Sequence, residues 1–173
     1  MFKTADLCDQ YADQLQIAEQ VLMDFGGLKA FSGAIITLKV FEDSALLRAA
    51  LETSGAGRVL VVDGGGSLHC ALLDRPLAEL AAQNGWAGVV IHGCVRHSAD
   101  LAEIAVGIKA LAVHPLKSFK HGVGQQGGPL RFAGVHFLPG HYLYADEDGL
   151  VVTEKALETT EFYPSTKQAQ NDA

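Results

Sequence analysis

Two glycine-rich turns carry the residues of this chain that are best suited to bind an anion. The first is Asp63-Gly64-Gly65-Gly66-Ser67, and the second is Gly93-Cys94-Val95-Arg96-His97. Successive glycines let backbone N–H groups point at a phosphate or a carboxylate. The first turn lacks the Gly-Lys-Ser/Thr of a phosphate loop, and its third glycine is misplaced for a dinucleotide fingerprint. We therefore predict an anion-binding turn, with a purely structural turn between a strand and a helix as an equal alternative.

Arg96 and His97 are the side chains of the second turn that can act chemically. A guanidinium holds a carboxylate through two parallel hydrogen bonds, so we predict that Arg96 faces a ligand. The alternative is a structural ion pair with Asp63 or Asp74. His97 could bind a metal ion or carry a proton. None of the seven histidines has a partner at HxxxH spacing, however, which favours a partly exposed polar side chain at this position.

Two apolar runs position these turns. Residues 59–62 (Val-Leu-Val-Val) and 88–91 (Gly-Val-Val-Ile) are typical of buried strands, and a helix-length segment separates them. The pattern predicts a βαβ unit, whose parallel strands bring both turns to the sheet edge where ligands commonly bind. We expect the regular part of the helix to begin near Pro76, where proline is tolerated. The predicted helical segment carries Leu68, Ala71, Leu72, Leu77, Leu80 and Ala81.

The rest of the chain predicts further strands and short helices around this unit. The predicted elements are a first helix capped by Thr4, a strand over Phe31–Val40, a helix capped by Asp43 or Ser44, a short helix capped by Ser98 or Asp100, strands over residues 106–113, 130–138 and 150–152, a long loop over residues 117–129, a hairpin turn at Asp148-Gly149 and a weak helix over residues 155–161. The predicted fold class is mixed α/β with a central βαβ unit. We expect one domain over residues 1–160 and a frayed, polar tail over residues 161–173.

Composition and charge argue against several kinds of partner. The chain of 173 residues has a formal net charge of −7, and only Lys117-Ser118-Phe119-Lys120-His121 approaches the basic, aromatic pattern of nucleic-acid binders. We expect a solvated loop there and no direct contact with nucleic acid, although an acidic protein can dock on a basic surface of another protein. No apolar run approaches the roughly 20 residues of a membrane span. The three cysteines form no CxxC pair, and we expect a reducing cytoplasm as the location.

Several short motifs occur in a fixed order along the chain: Leu7-Cys8-Asp9, Phe25-Gly26-Gly27, Gly33 with Ile35-Ile36-Thr37, Phe41-Glu42-Asp43, residues 57–66, Gly93-Cys94-Val95-Arg96 and Tyr144-Ala145-Asp146. This series resembles the RraA-like family, which includes regulator of ribonuclease activity A and the class II 4-hydroxy-4-methyl-2-oxoglutarate aldolases. The resemblance runs from about residue 4 to residue 157. Its most specific part is the string Val-Leu-Val-Val-Asp-Gly-Gly-Gly-Ser.

The resemblance implies a swivelling β/β/α fold and a homotrimeric ring, or a dimer of such trimers, with a cleft at each subunit interface. In the aldolase branch a magnesium or manganese ion polarises a pyruvate-like substrate, as suits a hard cation bound through oxygens. The family's substrate-binding arginine is matched by Arg96, but the aspartate that follows it and holds the metal is His97 here. The substrate-binding segment Gly-Asp-x-Leu is Asp74-Arg75-Pro76-Leu77 here, so only Leu77 matches. The expected substrate-binding residues are Gly64, Gly65, Gly66, Asp74, Arg75, Pro76, Leu77 and Arg96, and Arg96 is the expected catalytic residue.

The departure at His97 decides between the functions that the resemblance implies. Neutral imidazole supplies neither the charge nor the oxygen that a hard cation prefers, so His97 is a poor replacement for the metal-binding aspartate. Some family members named for ribonuclease regulation also lack this aspartate. We therefore expect a regulator that binds and inhibits a ribonuclease of the RNase E type, or a degradosome-type protein. The alternatives are a divalent-metal-dependent aldolase or oxaloacetate decarboxylase with an altered metal site, and a sensor of a small keto-acid anion.

Overall fold

A computed structural model describes residues 1–159 of the chain. The helices are α1 (Thr4–Tyr11), α2 (Ala45–Leu51), α3 (Arg75–Gln83) and α4 (Ser98–Leu101), with a 3₁₀ turn at Ala12–Gln14. The strands are β1 (Leu15–Ile17), β2 (Met23–Asp24), β3 (Phe31–Val40), β4 (Val59–Asp63), β5 (Ala71–Leu73), β6 (Gly88–Val95), β7 (Gly107–Val113), β8 (Gly124–Gln126), β9 (Leu130–Phe132), β10 (Val135–Phe137), β11 (Tyr142–Ala145) and β12 (Leu150–Thr153). No helix among these residues is long and apolar enough to cross a membrane.

The centre of the sheet is parallel, as the two apolar runs predict. Strand β4 lies between β3 and β6, with Val61 opposite Thr37 on one side and Val90 on the other. Strand β7 continues the parallel set beyond β6. The interior residues of β4 and most of β6 are buried, because helices cover one face of this region and a hairpin covers the other. The mixed α/β class and the central βαβ unit are therefore confirmed.

Antiparallel strands extend the sheet at both sides. The strand order is β1-β12-β11-β3-β4-β6-β7-β2, with β5 paired to β6 and β8 paired to β3. Helices α2, α3 and α4 contribute Leu47, Leu77 and Leu101 to the core on one face. On the other face, Phe132 and Phe137 of the β9–β10 hairpin stack with ring centroids 4.5 Å apart. The parallel strands thus lie between two packed layers, and the turns follow at their carboxyl ends.

The predicted helix of the βαβ unit is correct only in its second half. Residues 71–73 form the buried strand β5, which pairs in parallel with β6, so Ala71 and Leu72 are not helical and neither is Leu68. Helix α3 begins at Arg75, with Pro76 in its first turn as predicted. Asp74 caps it, because its Oδ1 accepts a hydrogen bond from Leu77 N–H at 3.3 Å. Short apolar runs do not distinguish a strand from a buried helix turn, which explains the error.

Four other sequence predictions need correction. Residues 130–138 form the hairpin β9–β10 rather than one strand, because Ala133 (φ +50°) and Gly134 (φ +72°) make a two-residue turn with both φ angles positive. The long loop over residues 117–129 contains strand β8. Residues 155–159 are not helical, and the predictions for residues 160–173 lie outside the described part of the chain.

The first helix is the fourth correction. Thr4 does not cap α1 but is its first residue, and Lys3 holds the capping position without a side-chain hydrogen bond. Thr4 instead donates from its N–H and its hydroxyl to the two carboxylate oxygens of Asp146, at 2.7 and 2.6 Å. Burial alone would raise the pKa of Asp146, but these hydrogen bonds and those from residues 148 and 149 outweigh it and lower the pKa. The amino-terminal helix is thereby attached to the β11–β12 hairpin.

Candidate functional site

Arg96 and Asp74 meet at the carboxyl edge of the sheet because they follow neighbouring parallel strands. Leu73 of β5 lies opposite Val95 of β6, and the next residue along each strand belongs to the site. The backbone N–H of Arg96 donates to Leu73 O at 3.0 Å, which fixes the two chains side by side. Arg96 Nη2 then donates to Asp74 Oδ2 at 3.1 Å. The structural ion pair with Asp74, the alternative interpretation of Arg96, is therefore present.

The same two residues also line a cavity of about 150 Å³. Its wall includes the cationic side chains of Arg48, Arg96, Lys117 and Lys120 and only one carboxylate, that of Asp74. Pro76 and Leu77 at the start of α3 supply apolar wall. Arg48 already pairs with Glu52 at 3.0 Å and Arg96 with Asp74, so Lys117 and Lys120 supply the excess positive charge that makes this cavity attractive to a small anion. Arg96 thus forms an ion pair and also lines a cavity large enough for a small ligand.

Residues 116–121 bring the two lysines to the cavity. Ser118 N–H donates to Ala71 O at 3.1 Å, and Phe119 N–H donates to Glu42 O at 2.8 Å. The segment is thus pinned between the ends of β5 and β3. The sequence predicts a solvated loop here and gives no sign that Lys117, Ser118 and Lys120 belong to the site. The basic character of the segment was visible, but the backbone pairing that carries it over the cavity is a long-range feature with no local signal.

Asp43 holds the end of this segment through hydrogen bonds from its backbone. Its Oδ1 accepts from Ala45 N–H at 3.0 Å, and its Oδ2 accepts from His121 N–H at 2.9 Å and from Val123 N–H at 3.3 Å. The residue is only 3% exposed. Burial alone would raise the pKa of Asp43, but the backbone hydrogen bonds outweigh it and lower the pKa. One carboxylate therefore starts helix α2 and fixes the loop that carries the lysines.

The glycine turn does not have the geometry of an anion cradle. Gly64 and Gly66 donate their N–H groups to His92 O at 3.1 and 3.0 Å, and Gly65 donates to Asp63 Oδ1 at 2.8 Å. Gly65 and Gly66 have φ angles of +67° and +71°, so the glycines serve the left-handed turn itself. None of the three lines the Arg96 cavity. The three N–H groups thus have acceptors within the described residues, which favours the structural alternative, and the ligand-binding role of Gly64, Gly65 and Gly66 stays a prediction.

His97 lies just outside the cavity on strained backbone. Its φ of +56° is left-handed, a region that histidine, asparagine and aspartate enter more readily than most side chains. His97 rather than Ser98 or Asp100 holds the capping position of α4, without a side-chain bond to it. Its Nδ1 accepts from Arg75 N–H at 3.3 Å, and the side chain of Arg75 turns away to Glu79, with Nε 2.7 Å from Oε1.

The donor set of this site does not fit a hard divalent cation. Both oxygens of Asp74 already accept hydrogen bonds, one from Arg96 and one from Leu77 N–H. Nδ1 of His97 is similarly engaged with Arg75. Across residues 1–159, no three His, Cys, Asp or Glu side chains come together as a coordination sphere. Magnesium and manganese prefer several oxygen ligands, so the magnesium or manganese site implied by the resemblance has no matching residues here.

Comparison with known proteins agrees with this architecture. A family model described as Aldolase/RraA, of the RraA-like kind, matches residues 4–152. The chain belongs to the RraA-like family.

Three similar proteins carry three different functional names. A protein of Alkalilimnicola ehrlichii, provisionally named a 4-hydroxy-4-methyl-2-oxoglutarate aldolase, is 54% identical over 89% of this chain and 96% of its own length. A solved structure from Thermus thermophilis, described as the RNA-processing inhibitor RraA, is 48% identical with a TM-score of 0.88, covering 91% of this chain and 96% of that one. A Geobacillus kaustophilus structure described as an S-adenosylmethionine:2-dimethylmenaquinone methyltransferase is 49% identical with a TM-score of 0.88, covering 92% and 99%. The names disagree at similar identity, so the residues of the site must decide.

Replacing Asp43 with asparagine tests its role as the anchor of residues 117–123. We expect Asp43→Asn to lower the free energy of unfolding at pH 7 by about 2–3 kcal/mol, since a charge-assisted acceptor for several N–H groups is lost. Because the folded pKa of Asp43 lies below its ordinary value, this contribution is present above that value and is lost as the pH falls through the folded pKa. Urea unfolding at pH 7 and in acid measures both effects.

The matched control is Asp148→Asn, at an exposed residue whose side chain makes no hydrogen bond within residues 1–159. The control should change stability by less than about 0.5 kcal/mol. Amide hydrogen exchange should speed up at His121 and Val123 in Asp43→Asn alone. Equal effects of the two substitutions would show that Asp43 is not the anchor.

Proposed function

We propose that this chain is a regulator of the RraA type that binds a ribonuclease, or a degradosome-type protein, and inhibits it by protein–protein contact. The observation that supports this most directly is that, within residues 1–159, the site has no carboxylate free to hold a metal ion. Asp74 is held by Arg96 at 3.1 Å, and the residue after Arg96 is His97 rather than an acid. The similarity to a structure described as an RNA-processing inhibitor supports the same function. The net charge of −7 suits a basic surface on the partner.

An aldolase function is the second candidate, and the cationic cavity favours it. Arg96 would hold the carboxylate of 4-hydroxy-4-methyl-2-oxoglutarate or oxaloacetate once Asp74 released it. The provisional name of the relative that is 54% identical supports this reaction class. The donor set does not fit magnesium or manganese, and so no metal-dependent step can be assigned to these residues. This is why we place the lyase second to the regulator.

We further propose that the protein is a homotrimer in the cytoplasm. Five apolar side chains that are close in sequence to residues lining the cavity, here called the apolar collar, are each more than half exposed: Phe41, Leu68, Leu116, Phe119 and Val123. An exposed patch of this kind is typical of an interface. A second copy of the chain is the occupant that family membership suggests. The three cysteines, free thiols here, are compatible with a reducing compartment.

One pair of assays separates the regulator from the lyase. We expect the wild-type protein to inhibit a purified ribonuclease of its own cell, and to release pyruvate from 4-hydroxy-4-methyl-2-oxoglutarate no faster than free magnesium or manganese. We expect His97→Asp to keep the inhibition and to gain pyruvate release, because aspartate tolerates the left-handed backbone and restores a carboxylate.

His136→Asp serves as the control, since it adds the same carboxylate at the exposed position of strand β10. It should change neither readout. Pyruvate release by the wild-type protein well above the free-metal rate would favour the lyase. Failure of the wild-type protein to bind any ribonuclease component of its own cell would contradict the proposed regulatory function.

The proposed trimer is tested by charging the apolar collar. The wild-type protein should have three times the chain mass of 18.3 kDa in light scattering. Phe119→Asp should shift it to smaller species, because burying an unpaired carboxylate in an interface is unfavourable. Ile17→Asp, at an equally exposed apolar residue outside the collar, should leave the mass unchanged. A wild-type monomer, or a trimer unaffected by Phe119→Asp, would contradict the proposed interface.

A further inference from the structure

A second cavity, here called the Trp86 cavity, lies near the amino ends of the parallel strands. Its volume is about 370 Å³, which is in the range of cavities that bind small organic molecules. Arg58 directly precedes β4, Trp86 lies two residues before β6, and both line the cavity. Among the described residues, none lines both this cavity and the Arg96 cavity, so the two are separate sites.

The wall of the Trp86 cavity is mostly apolar. Strands β3 and β4 contribute Ile36, Leu38 and Leu60, and helix α2 contributes Ala49 and Ala50. Leu38 and Leu60 belong to the core beneath α2, whereas Ala49 is exposed at the surface of the helix. The cavity thus leads from solvent to the core layer. An apolar group that enters it removes its own surface and that of the wall from water.

Arg58 is the one charged side chain in the part of this wall that the structure describes. Its Nε donates to Gly55 O and its Nη2 donates to Ser54 O, both at 2.8 Å. Its guanidinium carbon lies 5.5 Å from the centre of the Trp86 ring, within the range of a cation–π contact. These contacts fix the guanidinium and use the edge formed by Nε and Nη2. Within residues 1–159, the opposite edge, formed by Nη1 and the second hydrogen of Nη2, has no acceptor, and no carboxylate pairs with Arg58.

Trp86 is fixed in the wall as firmly as Arg58. The side chain is only 4% exposed, and its Nε1 donates to Thr53 O at 3.1 Å. The polar group of the indole is therefore satisfied, and the ring offers apolar surface to the cavity. A preorganised cation without an acidic partner, beside an apolar wall, is complementary to a ligand that joins an apolar body to one anion.

We propose that the Trp86 cavity binds an amphipathic monocarboxylate, a small molecule with an apolar body and a single carboxylate. The carboxylate accepts two hydrogen bonds from the outer edge of Arg58, through Nη1 and Nη2. The apolar body packs against Leu38, Leu60 and the ring of Trp86. Because Arg58 is already held by two carbonyl groups, little side-chain freedom is lost on binding. This site is independent of the Arg96 cavity and of the proposed inhibition of a ribonuclease.

The test is a titration of the full chain with octanoate, followed by the fluorescence of Trp86. This residue is the chain's single tryptophan, so its emission reports on the cavity wall. We expect a saturable change in emission, and octanoate should bind at least about tenfold more tightly than octanamide, its uncharged analogue of the same length. Hexanoate should bind about tenfold or more weakly than octanoate, because two buried methylene groups are lost.

Two variants separate the charge from the apolar wall. Arg58→Gln should abolish the preference for octanoate over octanamide, whereas Arg131→Gln, which removes the same charge at the exposed position of β9, should keep it. Ala49→Phe should weaken the binding of octanoate and of octanamide alike by about tenfold or more, because the larger side chain fills the cavity. Ala49 is exposed, and its replacement removes no side-chain hydrogen bond, so thermal unfolding of this variant should stay close to that of the wild type.

Three results would each overturn the proposal. They are equal affinities of the wild-type protein for octanoate and octanamide, unchanged octanoate binding in Ala49→Phe, and a titration with octanoate that shows no saturable change. The last result is also expected if a second copy of the chain or a protein partner fills the cavity. The ribonuclease assays are performed without either ligand, so the two proposals fail separately.

Discussion

The ion pair between Arg96 and Asp74 is the interaction on which the site depends. It exists because strands β5 and β6 run in parallel, so the residues that follow them emerge next to each other. Both side chains are partly buried, at 24% exposed for Arg96 and 23% for Asp74, so each is incompletely hydrated and is stabilised by its partner. The pair satisfies both charges and simultaneously occupies the carboxylate position of a cationic cavity. The same ion pair therefore forms part of the cavity wall and fills the position where a ligand carboxylate would bind.

The other parts of the site depend on long-range anchors of the same kind. Asp43 accepts hydrogen bonds from the backbone N–H groups of Ala45 in α2 and of His121 and Val123 beyond Lys120. These bonds hold the segment that carries Lys117 and Lys120 at the cavity. The N–H groups of Gly64, Gly65 and Gly66 donate to His92 and Asp63, so none of the three is directed at a ligand in this subunit. The groups of this subunit that can bind a ligand are thus the side chains that line the Arg96 cavity. These side chains suit anion binding better than coordination of a hard cation.

The sequence predicts the central architecture because local pattern and tertiary role agree there. Strand β3 has the predicted bounds, and α3 begins beside Pro76 as expected. The buried strand β5 and the β9–β10 hairpin were missed, since three-residue apolar runs have no distinctive period and Ala133-Gly134 is a weak turn signal. The sequence predicts Arg96 as a site residue and Asp74 as one of its two candidate partners. Lys117, Ser118 and Lys120 were not identified, because only pairing between distant segments brings them to Arg96.

A double-mutant cycle on Asp74 and Arg96 tests the central claim most directly. Free energies of unfolding would be measured in urea for the wild type, Asp74→Asn, Arg96→Gln and the double variant. If the two side chains form the partly buried pair described here, the coupling energy should be about 1 kcal/mol or more, because either single change leaves a charge without its partner. Additive effects, within about 0.5 kcal/mol, would show that Asp74 does not hold Arg96 in solution and would contradict the account.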